Sequence, residues 1–569
     1  MSVNIKEKLA EELSSALSIP EHTFLHLIET PPDPTFGDFA IPCFSFAKEM
    51  KRPPELVAEE FGTLIDAGRA RAGRIRQTQP RGPYLNIFID RGSVVRDIIK
   101  DILIADFISV RRLGAGKTVV IDYSSPNIAK PFGIGHLRST VIGNALRKIF
   151  SYLGYKVVGI NHLGDWGTQF GKLITAFRKW GDDTALKSDP IHHLFSLYVK
   201  FHAEAKEKPE LEDEARAWFQ KLEKKDSDAV QLWTRFRDLS MSDFERIYDR
   251  LGVSFDFQTG ESFYDDVIGA TIERVKACGI TEQSEGALIV PLGNDIPPAL
   301  LKKRDGTTLY LTRDIAAALY RYGKFRFDLA LYVVGSPQAL HFKQVFRVLD
   351  LMKCECAGNC HHVPFGHIRF EDAAMSTRRG NVVFLEDVLD KAVEIARRII
   401  EEKNPGLGNK HEVAETVGVG AVIFNDLKNS RIKDITFNWD DVLNFNGETG
   451  PYVQYTYARA CSLLRKFTQA YFSPDFEEGL NFGEEGYDVC VLLNRFEDTV
   501  ARASKEFEPS LISRLLLDIS SQFNTFYNSH RVITDDRGLS LSRALVAQGV
   551  KKVLKQGMDL IGVVPVEEM

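Results

Sequence analysis

Two short apolar runs on either side of one helical pattern constrain the fold of this chain more than any other feature. Residues 119–123 and 157–160 are each consistent with a short buried strand. Between them, apolar residues from Leu137 to Leu153 recur at intervals of three and four, and Gly154 follows, which predicts a helix that ends there. A strand, a helix and a second strand within so few residues indicate a βαβ unit, which needs a parallel sheet. The sequence therefore predicts an α/β domain.

Weaker patterns divide the rest of the chain. The first segment opens with a helix and reaches a strand at 84–89, while residues 185–255 are helical and charged, as in a peripheral insertion. A further buried strand is predicted over 328–335, and Ser336 is expected to cap the helix that follows. From Glu412 onward the pattern is almost wholly helical, which is typical of a helical bundle. The predicted segments are 1–110, 111–370 with the insertion at about 185–255, 371–430 and 431–569.

Charge and composition exclude several classes of protein. Lys and Arg total 72 against 78 Asp and Glu, which excludes a uniformly basic coat for nucleic acid and leaves only local patches. No run of about 18 apolar residues occurs, so we expect no membrane span. The opening helix carries Glu7, Glu11 and Glu12, unlike a secretory signal or a transit peptide. With seven cysteines in 569 residues, a reducing cytoplasm is the expected location.

A glycine-rich turn with one histidine lies between the first predicted strand and its helix. Gly133 and Gly135 allow a ligand to approach the backbone closely, and the free N–H groups at a helix start attract phosphate. His136 can donate to a phosphate oxygen as negative charge develops there. By spacing alone, however, a histidine at a helix start is more often a cap or a surface residue. The turn indicates a phosphate site only together with its surroundings.

Six segments that follow one another along the chain share their residues with one protein family. They are 124–140 (SSPNIAKPFGIGHLRST), 161–171 (NHLGDWGTQFG), 260–264 (GESFY), 310–314 (YLTRD), 375–381 (MSTRRGN) and 447–459. Together they resemble the arginyl-tRNA synthetase family, within the class I aminoacyl-tRNA synthetases. The resemblance implies an α/β fold with a Rossmann-type class I synthetase catalytic domain, an α+β N-terminal added domain and an all-α C-terminal helical bundle.

The resemblance also implies which residues contact ATP, with two departures from the family's pattern. The first signature histidine is replaced by Gly133, and losing one preorganised donor can cost about 3–4 kcal/mol in the transition state. Ala374 and Thr377 stand where the second signature of the class carries lysines, and the resemblance implies that Lys130 supplies a replacing charge. The implied catalytic residues are Lys130, Gly133, Gly135, His136, Met375, Ser376 and Arg378. The implied ATP contacts are Gly133, His136, His341 and Met375.

Three carboxylates indicate a cationic substrate, because the resemblance gathers them in one site with ATP. Asp122, Glu261 and Asp314 would repel a triphosphate, so they make sense only beside a positively charged partner. A carboxylate pair matches the planar fork of a guanidinium, which favours arginine over lysine. Alone, Asp122 is more readily interpreted as a strand-end turn residue and Asp314 as an acid in the first turn of a helix. The implied arginine-binding residues are Asp122, Asn127, Glu261, Tyr310, Asp314 and Gln338.

Basic and aromatic residues near the end of the first segment suit an RNA partner. Residues 67–91 hold six arginines against one acid, Asp90, with Tyr84 and Phe88 among them, a composition that suits phosphates and an unstacked base. Without the family, a solvated strand edge explains it equally well. The resemblance implies that this domain contacts the tRNA elbow through Asn86 and Phe88. In the C-terminal bundle it implies that the anticodon faces Tyr452, Tyr455, Arg459 and Tyr527.

The resemblance implies an arginine–tRNA ligase. Such an enzyme uses ATP, with Mg²⁺, to form arginyl adenylate and then passes the arginyl group to the 3′ end of tRNA(Arg). The resemblance further implies that arginine activation needs bound tRNA and that the protein is a monomer. Two alternatives stay open: a non-catalytic tRNA-binding paralogue, which Gly133 makes conceivable, and a class I synthetase for another amino acid.

Two further patterns imitate ligand sites without fitting them. Residues 114–118 look like the end of a P-loop, but a strand follows them instead of a helix. Cys354, Cys356 and Cys360 cluster with two histidines, yet their spacing fits no standard zinc pattern, and free thiols in a cytosolic loop are commoner. We therefore expect no metal held by the protein itself.

Overall fold

The computed structural model describes residues 5–68, 73–105, 110–304, 306–370, 383–445, 447–471, 475–477 and 480–569. Several residues singled out in the sequence lie outside this part of the chain. They are Arg69, Arg71, Ala374, Met375, Ser376, Thr377 and Arg378. The predictions for the second signature therefore stay predictions.

The first unit is a three-stranded antiparallel sheet packed against helices. Its strand order is β1 (Phe39–Pro42), β3 (Tyr84–Ile89), β2 (Ile75–Arg81). The predicted strand at 84–89 is confirmed, and its apolar residues Leu85, Ile87 and Ile89 are buried in the core of the unit. The helices are α1 (Ile5–Leu17), α2 (Glu21–Leu27), α3 (Phe44–Met50), α4 (Pro54–Gly68) and α5 (Arg91–Lys100).

Five parallel strands form the sheet that positions the candidate site. Their order is β11 (Cys360–Phe365), β10 (Leu329–Gly335), β4 (Thr118–Asp122), β5 (Lys156–Asn161), β6 (Phe257–Gln258). Helix α6 (Ile134–Tyr152) joins β4 to β5, which confirms the predicted βαβ unit. Gly154 follows α6 with a φ of +86°, the left-handed conformation that favours glycine at helix ends. Because β10 pairs with the other edge of β4, the topological switch point lies beside β4.

The chain between β5 and β6 is helical over a longer stretch than the insertion predicted at about 185–255. Its helices are α7 (Thr168–Trp180), α8 (Asp183–Ser188), α9 (Pro190–Glu207), α10 (Glu210–Glu223) and α11 (Ser227–Leu251). The elements that follow β6 are α12 (Asp265–Ala277), β7 (Glu282–Ser284), β8 (Ala287–Val290), β9 (Ala299–Lys302), α13 (Tyr310–Phe325) and α14 (Ala339–Leu351). Strands β7, β8 and β9 form a small antiparallel sheet that the sequence did not reveal. All residues of β7 are exposed, so no apolar alternation marks it.

The C-terminal part is helical, as predicted. Its helices are α15 (Leu385–Lys403), α16 (Lys410–Leu427), α17 (Trp439–Val442), α18 (Gly450–Ala470), α19 (Tyr487–Asn494), α20 (Phe496–Glu506), α21 (Ser510–Ser529) and α22 (Arg537–Ile561). Two short parallel strands, β12 (Ile368–Phe370) and β13 (Ile435–Phe437), pair across the start of this part. The predicted fold class is therefore confirmed. Within the ranges that the structure describes, no helix is both long enough and apolar enough to cross a membrane.

The turn after β10 differs from the prediction that Ser336 caps the next helix. Residues Ser336–Gln338 form a 3-10 turn, and Gln338 occupies the N-cap position of α14. The Ser336 hydroxyl instead donates to the carbonyl oxygen of Phe365 at 2.9 Å. The 3-10 turn moves the N-cap from Ser336 to Gln338, so the helix starts two residues later than predicted and Ser336 stabilises the neighbouring strand end instead.

Candidate active site

The predicted catalytic and arginine-binding residues that the structure describes converge on one edge of the parallel sheet. The carboxyl ends of β4, β5, β6 and β10 meet at this edge, and open α/β sheets bind ligands there, beside the topological switch point. Asp122 ends β4, and Glu261 follows β6 closely. The remaining members are Asn127, Lys130, Gly133, Gly135 and His136 after β4, Tyr310 and Asp314 in α13, and Gln338 and His341 after β10.

His136 lies in the first turn of α6, with its ring centroid 5.2 Å from that of Phe132. Its Nδ1 atom is buried and has no hydrogen-bond partner among the described residues. Burial lowers the pKa of His136 and the charge of Lys130 lowers it further, against an opposing hydrogen bond with the Gly133 backbone, which favours the neutral ring with one N–H donor. Gly135 beside it is exposed, and a β-carbon there would meet no heavy atom within 4 Å. A ligand therefore has open access to the helix start.

The loop between β4 and α6 stores backbone strain. Ser124, Ser125 and Ala129 have φ angles of 72°, 52° and 59°, in a region that costs residues with a β-carbon of order 1 kcal/mol or more. Hydrogen bonds hold this conformation: the Ser124 N–H donates to Ser139 Oγ at 2.9 Å, and the Ala129 N–H donates to Ser240 Oγ at 3.0 Å. Such strain clusters at functional sites, and here it precedes the glycine-rich turn that carries His136.

Lys130 brings a positive charge to this loop. Its Nζ atom lies 5.6 Å from the ring centroid of Tyr198, in insertion helix α9. Burial lowers the pKa of Lys130, because partial removal from water disfavours the ammonium form. A negatively charged ligand would reverse that penalty, so the position suits an anion.

Asp314 and Glu261 form the acidic part of the site. Asp314 Oδ2 lies 2.5 Å from Nε2 of His341, and Asp314 Oδ1 lies 3.9 Å from Nε2 of His162. Glu261 Oε2 is buried with no hydrogen-bond partner in the described part of the chain. Burial raises the pKa of Glu261 to about 8; the charge of Arg313 opposes this shift, and the charge of Asp314 adds to it. A buried carboxyl group with an unused oxygen is suited to a cationic ligand.

Asp122 is already paired within the protein. Its Oδ2 forms an ion pair with Nη1 of Arg321 at 2.7 Å, and the two side chains are only 8% and 2% exposed. The Ser125 hydroxyl donates to Asp122 Oδ1 at 3.0 Å. Because this buried ion pair balances the carboxylate, Asp122 offers less charge to a substrate than the sequence indicated. Its contact with arginine stays a prediction.

Three polar residues from the predicted arginine set lie at the more open part of the edge. Tyr310 is 59% exposed, and it interacts electrostatically with Glu261. Gln338 is exposed at the start of α14. Asn127 forms an isolated parallel bridge with Gly164, which fixes the loop after β4 against the loop after β5. The structure thus brings these residues to the same edge without showing what they contact.

The fold neutralises part of the basic stretch in the first unit. Arg74 makes ion pairs with Glu12 and Asp97 at 3.0 and 2.6 Å. Arg91 makes an ion pair with Asp38 at 2.7 Å. These acids are 23 to 62 residues away along the chain, so the charge that looked unopposed in the sequence is balanced in the structure.

The two residues predicted to contact the tRNA elbow differ in exposure. Asn86 is 4% exposed, which leaves its side chain little surface for an RNA. Phe88 is half-buried, and Tyr84 on the same strand is 37% exposed. The Tyr84 ring makes an edge contact with the exposed ring of Phe44, with centroids 5.8 Å apart. The accessible aromatic surface of this sheet therefore includes Tyr84, which was not among the predicted contacts.

The four residues predicted to face the anticodon form one cluster. The guanidinium of Arg459 lies 4.9 Å from the ring centroid of Tyr455 and 5.1 Å from that of Tyr527. Asn524 accepts a hydrogen bond from Arg459 and donates one to the hydroxyl of Tyr452. A cavity of about 850 Å³ adjoins Tyr455, Arg459 and Tyr527. Aromatic faces beside a cation suit an unstacked base.

Sequence reasoning missed two polar residues at the catalytic edge. His162 follows β5 directly and lies near Asp314, and its place after a buried strand was an available signal. Arg321 is fully surrounded by protein, on the same side of α13 as Ala317 and Ala318. A charged residue on the apolar stripe of a helix is unusual without a buried partner, and that was the signal for Arg321.

The thiol cluster shows no metal-binding arrangement. The Sγ atoms of Cys354 and Cys356 lie 3.0 Å apart. A hydrogen bond with Cys356 and burial raise the pKa of Cys354, which disfavours the thiolate that a metal needs. Across the described ranges, no group of three or more His, Cys, Asp or Glu side chains is placed to hold a metal ion.

Family models match the chain in three places. A model described as the catalytic domain of class I tRNA synthetases (R) matches residues 98–439, more than half of the chain. A model of the arginyl tRNA synthetase N terminal domain matches residues 3–89. A model of the DALR anticodon binding domain matches residues 453–569.

Full-length relatives agree with these models. An arginine–tRNA ligase of Halothermothrix orenii is 47% identical over 570 residues, and one of Clostridium perfringens is 45% identical over 572 residues; each alignment covers all of both chains. The solved structure of Thermus thermophilus arginyl-tRNA synthetase has the same fold, with a TM-score of 0.77 at 24% identity over 99% of this chain and 100% of that chain. The signature turn on α6, the parallel sheet and these matches together show that the chain belongs to the arginyl-tRNA synthetase family of class I aminoacyl-tRNA synthetases.

Proposed function

We propose that the chain is an arginine–tRNA ligase, which activates arginine with ATP and transfers it to the 3′ end of tRNA(Arg). One observation carries the proposal: a helix start bearing neutral His136 shares a sheet edge with the acidic pair Glu261 and Asp314. The first feature suits a triphosphate, and the second suits a flat cation. The family models and the full-length relatives support the same reaction.

The first reaction joins arginine to AMP. The carboxylate of arginine attacks the α-phosphorus of ATP, the bond from that phosphorus to the bridging oxygen breaks, and pyrophosphate leaves. The N–H groups at the start of α6 and the ring of His136 donate to phosphate oxygens as charge builds, while Lys130 supplies positive charge. The proposed ATP contacts are Gly133, His136, His341 and Met375, with Gly135, Ser376 and Arg378 as further catalytic residues.

Mg²⁺ is proposed to enter the site together with ATP, bound to the triphosphate of that nucleotide. There it would shield charge on the departing pyrophosphate. The nearest acidic groups do not form a site for the ion. Asp314 is hydrogen-bonded to His341, and both Asp314 and Glu261 are proposed to bind the guanidinium of arginine instead.

Arginine is proposed to bind with its guanidinium against Asp314 and Glu261. Two carboxylates match the planar fork of five N–H donors, whereas a lysine ammonium presents a single point charge. The contacts with His341 and His162 hold the Asp314 carboxylate in place. The remaining proposed contacts are Asn127, Tyr310, Gln338 and Asp122, whose charge is balanced by Arg321.

The second reaction passes the arginyl group from the adenylate to a hydroxyl of the terminal ribose of tRNA, and AMP leaves. No bond to the enzyme forms, so alignment of the substrates carries most of the rate. We propose that the tRNA elbow contacts residues 1–110, that its 3′ end reaches 111–370 with the connecting region 371–430, and that its anticodon contacts 431–569. The proposed tRNA contacts are Phe88, Tyr452, Tyr455, Arg459 and Tyr527, while Asn86, at 4% exposure, is no longer proposed as one.

The protein is proposed to work in the cytoplasm as a monomer. All seven cysteines are unpaired thiols, which suits a reducing compartment. The monomeric state follows from the family resemblance alone, and sedimentation of the purified protein tests it directly.

Replacing Gly133 with histidine is expected to leave the rate of arginine activation unchanged or to raise it, by up to about 100-fold. Gly133 has a φ of −82° and a ψ of 163°, an extended conformation open to any residue. The new ring would therefore restore a second phosphate donor without straining the backbone. Steady-state pyrophosphate exchange measures the change. A collapse of activity would show that the site needs the bare glycine backbone.

Arginine affinity is expected to rise with pH up to about 8. Burial raises the pKa of Glu261 to about 8, so its carboxyl group is protonated below that pH and must lose the proton to bind a guanidinium. Each pH unit below 8 should therefore raise the KM for arginine by up to about tenfold. The KM measured from pH 6 to 8 checks this. Glu261→Gln should flatten the profile, and an equally steep profile in that variant would assign the titration to another group.

Exchange of labelled pyrophosphate into ATP tests the proposed function. The purified chain is assayed with each amino acid in turn, with and without tRNA. Exchange confined to arginine in the presence of tRNA supports the proposal. Exchange with another amino acid would indicate a different synthetase, and tRNA binding without any exchange would indicate a non-catalytic paralogue.

A further inference from the structure

One buried arginine joins α6, the helix that carries His136, to the C-terminal half of the chain. Arg138 lies two residues after His136 on α6 and is 1% exposed. Its Nε donates to Oδ2 of Asp426 on α16 at 3.0 Å, and its Nη1 donates to the carbonyl oxygen of Lys433 at 2.8 Å. Asp426 is equally buried. Both partners of the Arg138 guanidinium lie nearly 300 residues further along the chain. The two bonds therefore fix the distance between α6 and the elements that carry Asp426 and Lys433.

The bond to Lys433 reaches the short parallel pair of strands. Lys433 lies two residues before β13, and the Ile435 N–H donates to the carbonyl oxygen of His367 at 2.8 Å. The His367 N–H in turn donates to Asp434 Oδ1 at 2.8 Å. Pairing of β12 with β13 begins at the next residue. The position of Lys433 against α6 therefore sets the position of β12.

The segment that carries the second signature, residues 371–382, continues directly from β12. The residues after this segment are tied to the first signature through the backbone. The Ile134 N–H donates to the carbonyl oxygen of Val383 at 2.9 Å, and the Leu385 N–H donates to that of Phe132 at 2.9 Å. The residues before this segment form β12, which pairs with β13 and is linked to α6 by the bond from Arg138 to Lys433. Both flanks of the second signature are thus anchored to the start of α6, one by main-chain bonds and the other by Arg138.

We propose that Arg138 is a positioning residue for ATP, which sets the separation between the start of α6 and β12, the strand that precedes the second signature, through its bonds to Asp426 and Lys433. The proposal rests on the proposed function, because it takes the second signature to contact the triphosphate. Arginine binds to Glu261 and Asp314, which are not part of this linkage. Since a misplacement of about 1 Å can cost about 100-fold in rate, disturbing Arg138 should act on ATP and not on arginine.

The burial of the ion pair predicts a second, separate effect on stability. Removing one partner of a buried pair leaves a charge or polar group without compensation. A merely structural role would therefore lower the melting temperature while leaving the folded enzyme normal. A positioning role must also change the kinetic constants of the folded enzyme. The two readouts separate the two roles.

The test uses the full-length chain with tRNA in pyrophosphate exchange. Arg138→Lys keeps a charge but cannot reach both partners, and Asp426→Asn keeps the shape but removes the charge. Below the melting temperature of each variant, kcat is expected to fall about 10- to 100-fold and the KM for ATP to rise several-fold. The KM for arginine should stay within about twofold, because Glu261 and Asp314 are unchanged.

A matched control is Arg250→Lys. Arg250 also bridges helices, with Asp390 on α15 at 2.7 Å and Glu415 on α16 at 2.9 Å, but it does not bond to the strand pair. Its variant should keep the wild-type kcat and both KM values. The proposal is overturned if the Arg138 and Asp426 variants keep the wild-type kcat per active site and the wild-type KM for ATP. It is also overturned if their KM for arginine rises as much as their KM for ATP. No arginine-dependent exchange in the wild-type enzyme would refute the proposed function itself.

Discussion

Replacing His136 with alanine is expected to lower kcat for arginine activation about 100- to 1000-fold. Burial favours the neutral ring, which keeps one N–H donor at the start of α6, where the phosphates are proposed to bind. Its donation strengthens as charge builds on the phosphate, which makes the effect specific to the transition state. The KM values for ATP and arginine should therefore change no more than about threefold. Steady-state pyrophosphate exchange measures all three constants.

Two variants control the His136 experiment. His136→Asn keeps an N–H donor and is expected to recover part of the lost rate. His411→Ala removes an exposed histidine on α16 and should have the wild-type rate. If His136→Ala lost activity only through a lower melting temperature, or raised the KM for arginine instead, the ring would not be the phosphate donor.

Asp314→Asn is expected to raise the KM for arginine roughly 100-fold or more, because a buried charge pair with the guanidinium is worth about 2–5 kcal/mol. Asparagine has the same shape, so its hydrogen bond with His341 can persist in altered form. The KM for ATP should change little, since the phosphates are bound at the start of α6. Measuring both KM values in the exchange reaction checks the separation.

The control for Asp314 is Asp350→Asn, which removes an exposed carboxylate on α14 paired with Arg347. It should leave both KM values at the wild-type level. An equal rise in the two KM values of Asp314→Asn would mean that this acid supports the whole pocket. In that case its direct contact with arginine would be misassigned.

Local patterns were enough to predict the central βαβ unit. The apolar residues of α6 repeat with helical spacing, and Gly154 ends the helix with a positive φ. Both are properties of neighbouring residues, so they can be read from the chain itself. The same holds for His136, whose place between a buried strand and a helix follows from the motif. The roles of Glu261 and Asp314 needed the family resemblance, because nothing local joins residues 53 positions apart.

The partners of charged residues could not be predicted in the same way. Arg321 balances Asp122 across 199 positions, and Asp97 and Glu12 balance Arg74 in the first unit. These pairs depend on which elements pack together, and no periodicity encodes that choice. The result is that Asp122 looked like a free carboxylate and the basic stretch looked unopposed. The small sheet of β7, β8 and β9 was missed for a related reason, since strand pairing is also non-local.

Burial changed the interpretation of Asn86. The family resemblance implied an RNA contact at this position, but Asn86 is 4% exposed. Alternation alone would have placed Tyr84, Asn86 and Phe88 on one face. On that face the structure leaves Tyr84 exposed, Phe88 half-buried and Asn86 buried.

Charging of tRNA with arginine compared with citrulline tests the central claim most directly. Citrulline has nearly the shape of arginine but a neutral end group, so it lacks the charge that Glu261 and Asp314 are proposed to bind. The account predicts formation of arginyl-tRNA, with citrulline used at least about 1000-fold less efficiently in kcat/KM. Comparable charging with both amino acids would contradict an acidic site that selects a flat cation.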